Sequence, residues 1–151
     1  MFDNAVTEDV PGTSMLTGPI ELFRTLEEKN WKVQKCGLRT GWTTATHNAI
    51  KSLMIELGKE KYVVCHTDLF IGPANGYFVR PGDSGSSILL DGKTVVDEGL
   101  DTSSHHWLAM ILGPKDAHSP FLGYGLSATS LVADIEKVTG AKVVEPQFLA
   151  E

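Results

Sequence analysis

The chain has 151 residues, of which 42% are hydrophobic, and a formal net charge of −6 at pH 7. This length and composition predict one globular domain that buries roughly two-thirds of its unfolded surface. The acidic balance and the lack of a long apolar run argue against nucleic acid and membrane as partners. Without the features of a signal peptide after Met1, a cytoplasmic location is expected, while a chain that begins upstream of Met1 stays open.

The first 30 residues are predicted to form a polar arm and a short helix. Proline and glycine interrupt residues 1–18, as expected for an arm. Pro19 stands where a helix favours its first residue. The helix is then predicted to end near residues 29–30, with an apolar stripe of Leu22, Phe23 and Leu26.

From Trp31 onward the apolar residues follow the two-residue alternation of β-strands, in which Val33 and Lys35 share a face. The pair Asp91-Gly92 is a strong hairpin signal and predicts a strand returning over residues 94–96. Seven short strands are predicted over residues 31–36, 42–55, 61–71, 86–90, 94–96, 107–112 and 121–126.

A C-terminal helix is predicted after Ser127 or Thr129, ending at Gly140. Short strands at regular spacing between two flanking helices favour a single antiparallel β-barrel over a parallel α/β sheet. The fold class is therefore predicted as mainly β, with residues 31–151 forming the barrel domain after an arm and helix in residues 1–30.

Residues 80–89 read Arg-Pro-Gly-Asp-Ser-Gly-Ser-Ser-Ile-Leu and carry the clearest chemistry. A serine hydroxyl becomes an effective nucleophile beside a base, and N–H donors must stabilise the oxyanion that its attack creates. Gly82 has no Cβ and can turn its N–H toward such a charge. The N–H groups of Gly82 and Ser84 are thus predicted to form an oxyanion hole. A plain turn rich in glycine, aspartate and serine is the alternative.

The Gly-Asp-Ser-Gly sequence of residues 82–85 resembles the nucleophile loop of chymotrypsin-like (trypsin-fold) serine proteases. Residues 35–41 fit the pattern K-x-G-x-x-T-G, which is similar to the hairpin that opens the second barrel of many such proteases. Residues 125–129, leading into a helix, are also similar to the family. The resemblance spans about residues 31–140 and implies the second, serine-bearing barrel.

The resemblance assigns roles to the residues of this loop. It implies Ser84 as the nucleophile and Gly82 as the first oxyanion donor. It makes Asp83 a buried carboxylate that stabilises the loop, with Arg39 and Arg80 as candidate partners.

The resemblance also implies where a polypeptide substrate would bind. Phe78 and its neighbours would line the pocket for the substrate side chain, and residues 111–113 would pair with the substrate backbone. No acidic residue is expected at the base of that pocket, so a preference for basic residues is not implied.

The catalytic histidine and aspartate of such proteases lie in the first barrel, and the first 30 residues here contain no histidine. A base could instead come from one of the five histidines, with His66 and His106 as first candidates, because triads are defined by geometry. A metal site that also uses Cys36 and Cys65 is disfavoured, since no zinc-like spacing is present. No cofactor is expected, and two buried thiols are favoured over a disulfide.

Two functions follow from the sequence. The first is the serine-bearing half of a trypsin-like endopeptidase, which cleaves peptide bonds once a partner segment supplies the histidine and aspartate. The second is an inactive protease-fold module for interaction or regulation. A lone second barrel exposes an apolar face, so a homodimer or a partner complex is expected.

Overall fold

The computed structural model describes residues 19–23, 29–116 and 118–144. The predicted arm of residues 1–18 lies outside them. In chain order the described elements are β1 (Ile20–Leu22), β2 (Lys32–Gly37), β3 (Gly41–His47), β4 (Ser52–Leu57), β5 (Tyr62–Ile71), β6 (Ser87–Leu90), α1 (Gly92–Asp97), β7 (His105–Pro114), β8 (Leu122–Ser127) and α2 (Ala128–Thr139). Neither of these two helices is long and apolar enough to cross a membrane.

Six strands close an antiparallel barrel, which confirms the predicted barrel architecture. The pairing order is β2, β3, β5, β8, β7 and β6, and β6 pairs again with β2. The closure is visible in the register at Lys35, which lies opposite Thr43 on β3 and opposite Ile88 on β6.

Alternate side chains of the barrel strands fill its interior. Val33, Phe70, Ile88 and Ile111 have no exposed surface, and each comes from a different strand. Burial of each such side chain contributes about 2 kcal/mol of transfer free energy. Phe78, which follows β5, completes this core with its ring centroid 6.0 Å from that of Phe70.

The helix predicted to begin at Pro19 is wrong for the residues described. Ile20–Leu22 is strand β1, which runs parallel to residues 105–107 of β7. Strand β8 ends opposite Ala109, so the earlier part of that β7 edge is open and β1 occupies it. Phe23 then joins the core, with its ring edge-on to Trp31.

The hairpin predicted at Asp91-Gly92 is also wrong, because Gly92–Asp97 is helix α1. The Asp91 carboxylate caps the helix by accepting the N–H of Thr94 at 2.7 Å. Both edges of β6 are already paired, with β2 and with β7, so a returning strand would find no backbone partner there.

The long strand predicted over residues 42–55 is two strands, β3 and β4, separated by a turn at residues 48–51. Strand β4 pairs with the first half of β5 and ends the order of strands, outside the barrel. The C-terminal helix is confirmed as α2. It ends at Gly140, whose φ of 69° lies in the left-handed region that glycine tolerates.

Candidate functional site

Two consecutive turns shape the loop that carries Ser84. The N–H of Asp83 donates to the carbonyl of Arg80 at 3.0 Å, and the N–H of Ser86 donates to the carbonyl of Asp83 at 3.1 Å. The third residue of each turn is a glycine with positive φ, +100° at Gly82 and +89° at Gly85, as a type II turn requires. These two glycines therefore fix the path of the chain around the serine.

Ser84 is exposed between the two turns. Its hydroxyl donates to the carbonyl of Leu112 at 2.6 Å. A Cβ placed on Gly113 would lie 3.9 Å from the Ser84 Oγ, so the end of β7 runs close beside the hydroxyl. Within the described chain, the N–H groups of Gly82 and Ser84 have no protein acceptor. One loop thus presents an exposed hydroxyl and two N–H groups without a protein acceptor in the described chain, the types of group that serve as nucleophile and oxyanion donors.

Asp83 is 1% exposed, and donors surround its carboxylate. Oδ1 accepts the N–H of Arg39 at 2.8 Å and that of Thr40 at 3.3 Å. Oδ2 accepts the N–H of Arg80 at 3.0 Å, the Thr40 hydroxyl at 2.8 Å and the ammonium of Lys35 at 3.4 Å. Burial raises the pKa of a carboxyl, but these donors outweigh it and lower the pKa of Asp83.

The two arginines expected to partner Asp83 thus contribute backbone N–H groups. The cationic partner is Lys35, which the sequence interpretation missed. Its side chain has no exposed surface, and Nζ donates to Thr40 Oγ1 at 2.8 Å and lies 5.2 Å from the centre of the Phe78 ring. Complete burial lowers the pKa of Lys35 despite the attraction of Asp83.

The signal for Lys35 was present in the alternation of β2. Lys35 is two residues from Val33, so a strand places both on the inward face. A lysine at an inward position requires a buried acceptor, and Asp83 is that acceptor. Gly37 leaves room for the Asp83 carboxylate to come close to β2, because a Cβ on residue 37 would lie 2.4 Å from Asp83 Oδ1.

Phe78 was expected to line a substrate pocket, and this is wrong. Phe78 and Val79 have no exposed surface and belong to the core. A Cβ on Gly123 would lie 2.9 Å from Val79 Cγ1 and 3.2 Å from Phe78 Cδ1. The side chains of residues 78 and 79 therefore occupy the space beside Gly123.

Residues 111–113 were expected to pair with the backbone of a substrate, but the first two of them already have partners within the protein. Ile111 already exchanges backbone hydrogen bonds with Gly85 and Ser86, both at 2.9 Å. Leu112 is the extra residue of a β-bulge between Ile111 and Gly113, and its carbonyl accepts from Ser84. Of the three residues, Gly113 remains for pairing with a substrate.

His47 contacts the carboxylate of Asp68, but both of its ring nitrogens are engaged. Nε2 lies 2.9 Å from Asp68 Oδ1, and Nδ1 lies 3.3 Å from the carbonyl of Lys29. The ammonium of Lys51 also contacts Asp68. Burial of Asp68 raises its pKa, but these hydrogen bonds outweigh burial and lower it. No ring nitrogen of His47 is left to accept a proton from Ser84.

His66 and His106, the first candidates for a base, do not adjoin Ser84. His106 is buried, with Nε2 2.9 Å from the carbonyl of Asp101. It precedes Leu112 by six residues on β7, which corresponds to about 20 Å along an extended strand. His66 is exposed and lies opposite Leu53 in the β4–β5 pair. The hydroxyl of Ser84 is bonded to a carbonyl, and no described histidine takes that place.

Within the described residues, no group of three or more histidine, cysteine, aspartate or glutamate side chains is arranged to hold a metal ion. Cys36 and Cys65 are free thiols. Both were expected to be buried, but they are half-buried. No protein-family model and no curated protein sequence matches the chain.

Proposed function

We propose that this chain is the serine-bearing barrel of a trypsin-like serine endopeptidase. The observation that carries the proposal is the exposed Ser84 hydroxyl in a loop whose Gly82 and Ser84 N–H groups have no protein acceptor in the described chain. The closed antiparallel barrel and the buried Asp83 support the same class.

In the proposed reaction, the Ser84 Oγ attacks the carbonyl carbon of a peptide bond while a base takes the hydroxyl proton. The N–H groups of Gly82 and Ser84 stabilise the oxyanion. The amine then leaves with the proton from the base, and water hydrolyses the acyl group on Ser84. A histidine and an aspartate on another segment or polypeptide supply the base.

The hydrogen bond from Ser84 to Leu112 has a consequence for this reaction. The hydroxyl proton now points to a carbonyl, which cannot act as the base at neutral pH. Attack therefore requires the hydroxyl to rotate away from Leu112 toward an arriving base.

The same hydrogen bond favours a second candidate function, an inactive interaction module. In such a module Ser84 stays bonded to Leu112, and the buried Phe78 and Val79 leave no room for a substrate side chain beside Gly123. A protease fold can persist without proteolysis.

Labelling by a neutral fluorophosphonate separates the two functions. We expect slow labelling of the isolated chain, because a serine beside an oxyanion hole retains residual reactivity without its base. Ser84→Ala should abolish the labelling, whereas Ser87→Ala, at an exposed neighbouring serine, should preserve it. Gly82→Ala should slow labelling on the order of 100-fold, because its positive φ orients the donor.

Mass spectrometry of the labelled protein identifies the modified residue. Labelling that persists in Ser84→Ala, or wild-type protein that stays unlabelled after prolonged exposure, would contradict the endopeptidase proposal and leave the interaction module.

A further inference from the structure

Arginine is rare in this chain and concentrated at the Ser84 loop. The sequence holds three arginines, and the two within the described residues, Arg39 and Arg80, both adjoin this loop. Their backbone N–H groups donate to the two oxygens of the Asp83 carboxylate, at 2.8 and 3.0 Å. One buried carboxylate therefore anchors both arginines beside Ser84.

The side chain of Arg39 packs against Gly82, the first proposed oxyanion donor. A Cβ built on Gly82 would be 2.7 Å from Arg39 Cγ and 3.3 Å from its Cδ. The guanidinium follows directly after Cδ, so it begins next to the backbone whose N–H is free. This contact also explains why residue 82 lacks a side chain on that side.

Arg80 is oriented by an aromatic ring. Its Cζ lies 4.1 Å from the centre of the Tyr77 ring, which is a cation–π contact. Such a contact reduces the rotamer freedom that the guanidinium would lose on binding a ligand.

Both guanidinium groups are available to a ligand. Arg39 and Arg80 are exposed, and neither forms an ion pair within the described part of the chain. The nearby carboxylate of Asp83 is buried and already accepts from several donors. The loop is thus locally positive on a chain with a net charge of −6.

We infer that this site recognises acidic peptides, with Arg39 binding an Asp or Glu side chain close to the residue that reaches Ser84, and Arg80 as a second contact. The guanidinium presents paired N–H donors that match a carboxylate, which a lysine ammonium does not. The inference rests on the proposed function for placing the peptide at Ser84, but the binding itself requires no catalysis.

Fluorescence anisotropy of two labelled peptides tests the inference on the full chain. The peptides have the same sequence except that glutamates in one are glutamines in the other. We expect the glutamate peptide to bind on the order of tenfold more tightly, since a charged hydrogen-bonded pair is involved. Rising salt should reduce the preference.

Arg39→Gln should bring the two peptide affinities together, and Arg39→Lys should give an intermediate preference. Both variants keep the backbone N–H that bonds Asp83, so folding is preserved and is checked by circular dichroism. Lys59→Gln removes one exposed positive charge in the turn between β4 and β5 and should leave the preference unchanged.

Equal affinity for the two peptides, no measurable binding of the glutamate peptide, or a preference that survives Arg39→Gln would overturn the inference. These outcomes are distinct from a failure of the proposed function. If fluorophosphonate labels Ser84 and the preference is absent, only the inference fails. If labelling fails and the preference depends on Arg39, the site binds acidic peptides without cleaving them.

Discussion

Asp83 connects the loop that carries Ser84 to the hairpin between β2 and β3. Its carboxylate accepts N–H groups from Arg80 in the loop and from Arg39 in the hairpin, as well as the ammonium of Lys35. Loss of the Asp83 carboxylate would leave the backbone N–H groups of Arg39, Thr40 and Arg80 without their acceptor and the buried Lys35 ammonium without its counter-charge. Loss of Lys35 would leave a carboxylate that still has its other donors.

We therefore expect Asp83→Asn to lower the free energy of unfolding by about 3 kcal/mol at neutral pH, as for a broken buried ion pair. Lys35→Met, which keeps the apolar stem, should cost less. The hydrogen bonds hold the pKa of Asp83 in the folded state below the unfolded value of about 3.9. A carboxyl of this kind stabilises the fold fully above its unfolded pKa, and the stabilisation is lost as pH falls through the folded pKa.

Urea denaturation of both proteins across a pH series measures this directly. The difference in unfolding free energy between wild type and Asp83→Asn should be constant near neutral pH and shrink below about pH 4. A difference that grows in acid, or a larger cost for Lys35→Met than for Asp83→Asn, would contradict this account.

At the scale of elements, the secondary structure was predicted correctly where the local sequence pattern agrees with the tertiary environment of the segment. Strand β2 was predicted from its alternation and β5 as a run of residues between two turns, and both are strands of the barrel. The end of α2 at Gly140 was predicted because the left-handed cap is a local property. The Ser84 loop was predicted because its glycines are required by its own turns.

Two segments were mispredicted because their secondary structure is decided by which strand edges are free to pair. Residues 20–22 belong to a segment predicted as a helix from Pro19 and the stripe of Leu22, Phe23 and Leu26, but an open edge of β7 gives them backbone partners as β1. Residues 92–97 follow a hairpin signal and include β-branched residues, but β6 has no free edge, so they form α1. Likewise, the burial of Phe78 results from packing across the barrel, and the local sequence pattern does not indicate it.

Helix α1 has six residues, so its cap should contribute a large share of its stability. Asp91→Ala removes the acceptor of the Thr94 N–H and should lower the free energy of unfolding by about 1 kcal/mol. Asp97→Ala removes an exposed carboxylate at the other end of the helix and should cost less. Thermal and urea denaturation of the two variants measure the comparison, and equal costs would show that the cap contributes nothing specific.

At the scale of the whole molecule, the barrel pairs its own strands, but an apolar surface is exposed beside it in the described part of the chain. Leu53 and Ile55 lie on the same face of β4, opposite His66 and Val64 of β5. These four residues are the hairpin face, and its three apolar side chains are 52, 55 and 46% exposed at Leu53, Ile55 and Val64. Among the described strands, β4 is also an edge of the sheet, since it pairs on one side with β5 and has no second strand partner there.

We expect two copies of the chain to associate through the hairpin face, because contiguous apolar surface at a strand edge favours burial against a second surface. Ile55→Lys should weaken the association at least tenfold, measured by sedimentation velocity over a concentration series. Val138→Lys is the matched control, since Val138 is 78% exposed on α2, which packs against β7 and β8. Either lysine reduces the net charge of −6 and hence the repulsion between copies, so weaker association in Ile55→Lys alone must come from lost apolar contact. A wild-type chain that stays monomeric at the highest concentration, or equal effects of the two lysines, would exclude this face as the interface.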